Sequence, residues 1–174
     1  TGVQTCALPI YLELVLPEVC VVDKIKLHKG REVDVIHLGG HSPASLGVYV
    51  PDCQVLFAGD VVVTGEHPQL ADAETVVWME TLDRIKEMDV EMIVPGRGEP
   101  CHFEALDPLK AYIEEMRERV AGYYEKGTSR RDTVDKVRGE MLDRFPIREP
   151  RKDRVMRYIR SSIERVYEEV RKGE

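Results

Sequence analysis

Residues 39–62 read GGHSPASLGVYVPDCQVLFAGDVV, and they carry the clearest strand pattern in the chain. Within it, SLGVYVP (45–51) alternates in hydrophobicity, PDC is typical of a tight turn, and QVLFAGD (54–60) is nearly all apolar. The pattern predicts two antiparallel strands, the second of them buried on both faces. His41 precedes the first strand and Asp60 ends the second. Because a sheet fixes the backbone at strand ends while the adjoining turn exposes the side chain, both residues are candidates for a functional site.

The segments on either side extend this pattern. VCVVDKIKL (19–27) and VDVIHL (33–38) predict two earlier strands, so the region to about residue 61 is expected to be an antiparallel meander. After a loop that contains His67, residues 75–88 predict a helix, and VEMIV predicts a further short strand. The expected apolar stripe of that helix is Val76, Val77, Leu82, Ile85 and Met88, with Trp78 as a core residue. The rest of the chain predicts three helices, at about 108–126, 129–145 and 151–171.

The segment GGHSPAS allows two interpretations. Gly40 to Ala44 approach the G-x-S-x-G pattern of a serine nucleophile, which requires a strand, a strained turn and then a helix. Here Pro43 follows the serine and a strand pattern follows the turn, so the context does not fit a serine hydrolase. The other interpretation makes His41 and Asp60 metal ligands, since an imidazole and a carboxylate suit zinc. Each residue taken alone is also explained as an ordinary turn residue.

A third stretch, VPGRGEP (94–100), ends another strand on a turn. Together the three stretches resemble the second half of the metallo-β-lactamase fold, with its Gly-His-Thr/Ser-Pro-Gly-Ser segment, its strand ending in Gly-Asp and its Val-Pro-Gly-His-Gly turn. The resemblance implies an α/β chain that forms the C-terminal half of an αββα sandwich over residues 11–103, followed by a helical extension over 104–174. It also implies a metal-dependent hydrolase with one or two zinc ions, or iron or manganese, that cleaves an ester, thioester or related bond of a small-molecule substrate.

Residue by residue, the resemblance places His41 on the first metal and Asp60 between the two metals. Arg97 departs from the family pattern, because it stands where a histidine usually binds the second metal. A guanidinium has only donors and stays protonated, so it cannot be a ligand. Arg97 is expected either to pair with Asp60, to hold an anionic group of the substrate, or to be a solvated turn residue. No residue on this chain is assigned a catalytic role.

The family's first signature, His-x-His-x-Asp-His, does not occur in the sequence, whose five histidines are His28, His37, His41, His67 and His102. In the family this signature lies upstream of the stretches seen here. Residues 1–10, TGVQTCALPI, resemble the in-frame translation of a sequencing adapter, so we expect them to be an assembly artefact on a truncated chain. The chain as given is therefore expected to be inactive, and its uncovered sheet to associate, for example as a homodimer.

Charge and composition reduce the number of functions that the sequence allows. The chain carries a net charge of −7, and the basic residues of 130–174 alternate with acids at helical spacing, so no nucleic-acid partner is expected. No apolar run approaches the length of a membrane span. The scattered cysteines suit a reducing compartment, which indicates a cytoplasmic protein. Two alternatives stay open: a non-catalytic binding protein in which Arg97 marks the loss of metal chemistry, and a helical module whose basic C-terminal helix docks an acidic partner.

Overall fold

The computed structural model describes residues 17–28, 30–147 and 152–174. The expected adapter residues 1–10 and the first residue of the expected last helix, at 151, lie outside this range. The strands are β1 Lys24–His28, β2 Glu32–His37, β3 Leu46–Val50, β4 Val55–Val63 and β5 Met92–Arg97. The α-helices are α1 Thr75–Lys86, α2 Leu106–Glu125, α3 Arg130–Met141 and α4 Lys152–Lys172. Short 3-10 turns lie at Pro51–Cys53, Phe103–Ala105 and Leu142–Arg144.

The strands form one five-stranded sheet in the order β1-β2-β3-β4-β5. The first four strands pair antiparallel, which confirms the predicted meander, and β5 pairs parallel to β4 after the α1 crossover. β1 begins at Lys24, later than residue 19, because its partner β2 ends at His37, whose N–H donates to the carbonyl of Asp23 at 2.7 Å. With no partner beyond that point, the preceding residues form no ladder.

Two strands run further than the sequence pattern indicates. β4 continues through Asp60 to Val63, and β5 continues through Pro95 to Arg97. The two extensions pair with each other, since Gly59 lies opposite Pro95 and Val63 opposite Arg97, with register shifts between these points. Proline is tolerated because β5 is an edge strand of the sheet and needs no N–H there. Arg97 therefore ends a strand, where the sequence had indicated a turn.

The two faces of the sheet differ in burial. On one face Leu56 and Ile93 are fully buried. On the other face, Phe57 is 46% exposed, so the expectation that β4 is buried on both faces is wrong. Further large apolar side chains are exposed across the strands of the sheet, namely Leu27, Leu46 and Met92. The described residues place no layer over this face, which is the physical reason for the exposure.

The buried stripe of α1 also differs from the predicted one. Its buried residues are Thr75, Trp78, Thr81, Leu82 and Ile85, whereas Val76 and Val77 are each 38% exposed. Trp78 points into the core and its Nε1 donates to the carbonyl of Val61 at 2.8 Å, which confirms its core role. The bulky ring needs this space and this acceptor, so the helix turns its two valines outward.

One apolar cluster joins the sheet to all four helices. It includes Ile93 of the sheet, Ile113 of α2, Val137 of α3 and Ile163 of α4, all fully buried. Ser129 caps α3 by accepting a hydrogen bond from the Asp132 N–H at 3.2 Å. Among the described residues, no helix combines the length and the apolar character that a bilayer span requires.

Candidate functional site

The three residues singled out in the sequence lie side by side. His41 comes from the loop between β2 and β3, Asp60 from the middle of β4 and Arg97 from the end of β5. His41 Nε2 lies 4.0 Å from Asp60 Oδ2, and Arg97 Nε lies 3.6 Å from Asp60 Oδ1. Their side chains are 23%, 42% and 27% exposed, in the order His41, Asp60 and Arg97. The carboxylate therefore sits between a histidine and a cation, in a partly open position at the end of the sheet.

Two glycines make this approach sterically allowed. A Cβ on Gly96 would lie 2.2 Å from Asp60 Oδ1 and 2.6 Å from the Asp60 nitrogen, so only glycine lets β5 pass the carboxylate. Gly40 has φ of +82°, and a Cβ there would lie 2.6 Å from the Cα of Trp78. Any side chain at Gly40 would push the His41 loop away from α1. These close contacts explain why glycine occupies both positions beside the site.

The loop that carries His41 is tied to itself and to α1. The Ser45 N–H donates to the Ser42 carbonyl at 3.1 Å, and the two serine hydroxyls lie 2.9 Å apart. The imidazole packs edge-on against Trp78, with ring centroids 5.3 Å apart and an interplanar angle of 84°. β3 begins at Leu46, directly after this loop, so Ser42 does not occupy the strand–turn–helix setting of a nucleophile elbow.

Burial lowers the pKa of His41 below its usual 6.5, and the nearby Arg97 cation lowers it further. The carboxylates of Asp60 and Asp72 act in the opposite direction. The net shift favours the neutral imidazole, which is the form with a free lone pair. Asp72 was missed in the sequence because it sits in an irregular loop, where nothing marks it as a neighbour of His41.

Arg97 has unsatisfied donors. Its Nε and Nη2 atoms are buried and have no hydrogen-bond partner among the described residues, although Nε is within ion-pair distance of Asp60. This position agrees with the ion-pair alternative drawn from the sequence and differs from a freely solvated turn residue. A guanidinium here adds positive charge beside the two candidate ligands and offers no lone pair.

The described residues do not fit a complete zinc centre. Among them, no group of three or more His, Cys, Asp or Glu side chains converges in a way that could hold a metal ion. Zinc sites in proteins take at least three protein ligands. His41 and Asp60 can supply two, and the third neighbour is Arg97, which repels a cation. A complete centre therefore requires ligands beyond this part of the chain.

The other histidines bond partners other than His41, Asp60 and Arg97. His67 is 3% exposed, with Nδ1 3.2 Å from the Tyr112 hydroxyl and Nε2 3.1 Å from the carbonyl of Phe145. Its loop position matches the sequence interpretation, but its burial between two helical regions does not follow from the sequence. His37 Nε2 lies 2.7 Å from the Pro43 carbonyl, and His102 bonds the Glu91 carbonyl.

The chain resembles known proteins both in sequence and in fold. A family model for the metallo-beta-lactamase superfamily matches residues 10–97. The linear primary-alkylsulfatase of a Pseudomonas strain is 24% identical over 123 residues, which cover 63% of this chain and 23% of that protein.

Among solved structures, a metallo-beta-lactamase family protein of Thermus thermophilus superposes with a TM-score of 0.61 and 17% identity, over 84% of this chain and 48% of its own. The metallo-beta-lactamase from Pontibacter korlensis superposes with a TM-score of 0.51 and 23% identity, over 56% of this chain and 49% of its own. These two likenesses concern the fold, and the chain spans about half the length of both proteins.

Proposed function

The chain belongs to the metallo-beta-lactamase superfamily, and from this premise we propose that it is part of a metal-dependent hydrolase, with His41 and Asp60 as two of the metal ligands. The superfamily includes hydrolases such as beta-lactamases and an alkylsulfatase. The observation that carries the proposal is the approach of His41 Nε2 to within 4.0 Å of Asp60 Oδ2, from two separate elements of the fold.

Zinc is the metal we propose, with iron or manganese as substitutes. His41 suits a ligand role because burial favours its neutral form. Asp60 suits it because its side chain is partly open and one oxygen faces His41. Since two ligands do not complete a zinc centre, we expect the chain by itself to bind zinc weakly and to show no hydrolysis above the buffer rate.

The substrate is proposed to be a small-molecule ester, thioester or related compound with an anionic group near the scissile bond. The Arg97 guanidinium supports this, because its side chain is partly exposed beside Asp60 and a guanidinium suits a carboxylate, phosphate or sulfate oxygen. The likeness to an alkylsulfatase adds sulfate esters to the compounds to test. A cytoplasmic location remains a proposal, to be tested by fractionation of the source cells.

The first experiment measures zinc affinity by competition with a chromophoric chelator. His41→Ala and Asp60→Asn are each expected to weaken binding by at least about tenfold. His28→Ala is the matched control, because His28 lies at the exposed end of β1 and is expected to leave the affinity unchanged. Zinc binding that survives both site substitutions would refute the assignment of the ligands.

Arg97→His separates the hydrolase from its main alternative, a non-catalytic binding protein. That alternative is favoured by the ion pair between Arg97 and Asp60, which neutralises the carboxylate that a metal would need. If the backbone still supports the second metal position, the new imidazole should raise zinc affinity by about tenfold or more. An affinity equal to that of the unchanged chain would favour the non-catalytic protein.

A further inference from the structure

We propose that Glu169 of α4 is a positioning residue of the candidate site, because it caps α1 from across the molecule and thereby holds the loop that carries His41. Its relevance to metal binding rests on the function proposed above. Glu169 lies 94 residues from its partner Thr75, so the link is a product of the tertiary fold.

The start of α1 lacks a cap of its own. Its N-cap residue, Glu74, is extended and its side chain makes no capping hydrogen bond, and the first turn contains no acidic residue. Helix starts leave N–H groups unpaired and carry partial positive charge, so they are stabilised by an oxygen acceptor or an anion. Glu169 provides both: its Oε1 accepts from the Thr75 N–H at 3.0 Å, and its Oε2 accepts from the Thr75 hydroxyl.

The carboxylate of Glu169 is almost fully buried, at 2% exposure. A buried carboxylate is costly unless it is paired and hydrogen-bonded. Here Arg117 Nη1 donates to Oε2 at 3.0 Å, and Arg165 Nη2 lies 3.4 Å from Oε1. Both oxygens are therefore satisfied, by one helix start and two guanidinium groups. Removal of the negative charge would leave two cations without a counter-ion beside a helix start that carries partial positive charge.

Glu169 is one of three contacts from the same face of α4. Ser162 Oγ accepts from the Leu70 N–H at 2.9 Å, and Arg165 Nε donates to the Ala73 carbonyl at 2.6 Å. Residues 162, 165 and 169 recur at the spacing that places helical side chains on one face. Together they hold residues 70–75, the segment that leads into α1.

The start of α1 in turn supports the His41 loop. The Glu74 N–H donates to the Gly40 carbonyl at 2.9 Å. Gly40 approaches Trp78 so closely that a Cβ would lie 2.6 Å from the Trp78 Cα, and the Trp78 ring contacts the imidazole of His41. Because these groups are closely packed, a shift in the first turn of α1 is expected to move His41 relative to Asp60.

The test compares Glu169→Gln with Glu168→Gln, a neighbouring substitution that alters surface ion pairs with Arg130 and Arg171. Amide hydrogen exchange over residues 39–41 and 74–78 is measured by mass spectrometry, along with zinc affinity. We expect Glu169→Gln to speed exchange in both segments by roughly five- to tenfold and to weaken zinc binding, because the amide keeps an acceptor oxygen but loses the charge that balances Arg117, Arg165 and the helix start. Exchange in β2 should not change in either variant.

A double variant, Glu169→Gln with Glu74→Ser, supplies a local cap, because serine at the N-cap accepts from the first-turn N–H groups. This protein should regain the slow exchange of residues 39–41. Wild-type exchange in Glu169→Gln, or fast exchange that persists in a folded double variant, would overturn the proposal. Global unfolding of Glu169→Gln and of the double variant would also overturn the proposal, since Glu169 would then support the whole fold and not the site. If the unchanged chain fails to bind zinc, the proposed function fails, and the exchange data still decide the role of Glu169.

Discussion

Gly96→Ala should distort the candidate site through a single added methyl group. Gly96 lies in β5, and a Cβ there would meet Asp60 Oδ1 at 2.2 Å, the Asp60 nitrogen at 2.6 Å and the Gly59 carbonyl carbon at 2.6 Å. The carboxylate oxygen can rotate away, but the two backbone atoms cannot. β4 and β5 must therefore separate locally by several tenths of an ångström.

The size of the effect follows from this geometry. Gly96 has no positive φ, so alanine is allowed by the backbone and the cost comes from the contacts alone. Overpacking of this kind typically costs about 1–3 kcal/mol. For a chain of this length each kcal/mol lowers the melting temperature by about 2–4 °C, so the expected decrease is about 2–12 °C. Displacement of Asp60 should also weaken zinc binding.

Thermal unfolding followed by circular dichroism measures the first effect, and chelator competition measures the second. Gly122→Ala is the control, because Gly122 lies in α2 with nothing within 4 Å of its would-be Cβ, and alanine should stabilise a helix by about 0.5–1 kcal/mol. If Gly96→Ala melts within about 1 °C of the unchanged chain and binds zinc equally well, the contact between β5 and the Asp60 carboxylate does not constrain the site.

The uncovered sheet face should drive self-association. Phe57→Ser should therefore shift the chain toward the monomer in analytical ultracentrifugation. Tyr124→Ser, which alters an exposed aromatic side chain on α2, should leave the oligomeric state unchanged. Equal oligomeric states in both variants would argue against a dimer through this face. Burial lowers the pKa of His67 below 6.5, so the unfolded chain binds a proton more readily than the folded chain and stability should fall as the pH drops below about 6.5. Urea unfolding at pH 7.5 and 5.5 should show a smaller difference in His67→Gln, and an undiminished difference would exclude His67 as a source. His41, whose pKa is also lowered, should contribute in the same direction, so the variant retains part of the slope.

The local sequence pattern correctly predicted features that depend only on residues close together in the chain. The strands β2, β3 and β4 and the turn after Val50 follow from alternation and turn residues. The cluster of His41, Asp60 and Arg97 was anticipated through a family resemblance, and the structure brings the three residues together. Their roles as ligands and as an anion contact remain predictions.

The two misses in burial share one cause, which is that burial depends on what lies across the core, whereas the bounds of β1, β4 and β5 depended on the partner strands. Alternation within QVLFAGD cannot reveal that Phe57 is left uncovered, and helical periodicity cannot choose between the stripe of Val76 and Val77 and the stripe of Trp78. In α1 the Trp78 ring is the buried side chain, because it fills the core and its Nε1 donates to the carbonyl of Val61.

The order of the elements, the family resemblance and the chemical character of the site residues could be read from the amino-acid sequence, because they depend on local spacing and side-chain type. Three features became visible in the folded chain alone: His67 is buried beside Phe145, Asp72 acts on His41, and Glu169 caps α1. Hydrogen bonds and charges act over a few ångströms in space, whatever the separation along the chain. Thr75 and Glu169 are 94 residues apart in sequence, and only folding places that carboxylate at a helix start that has no cap of its own.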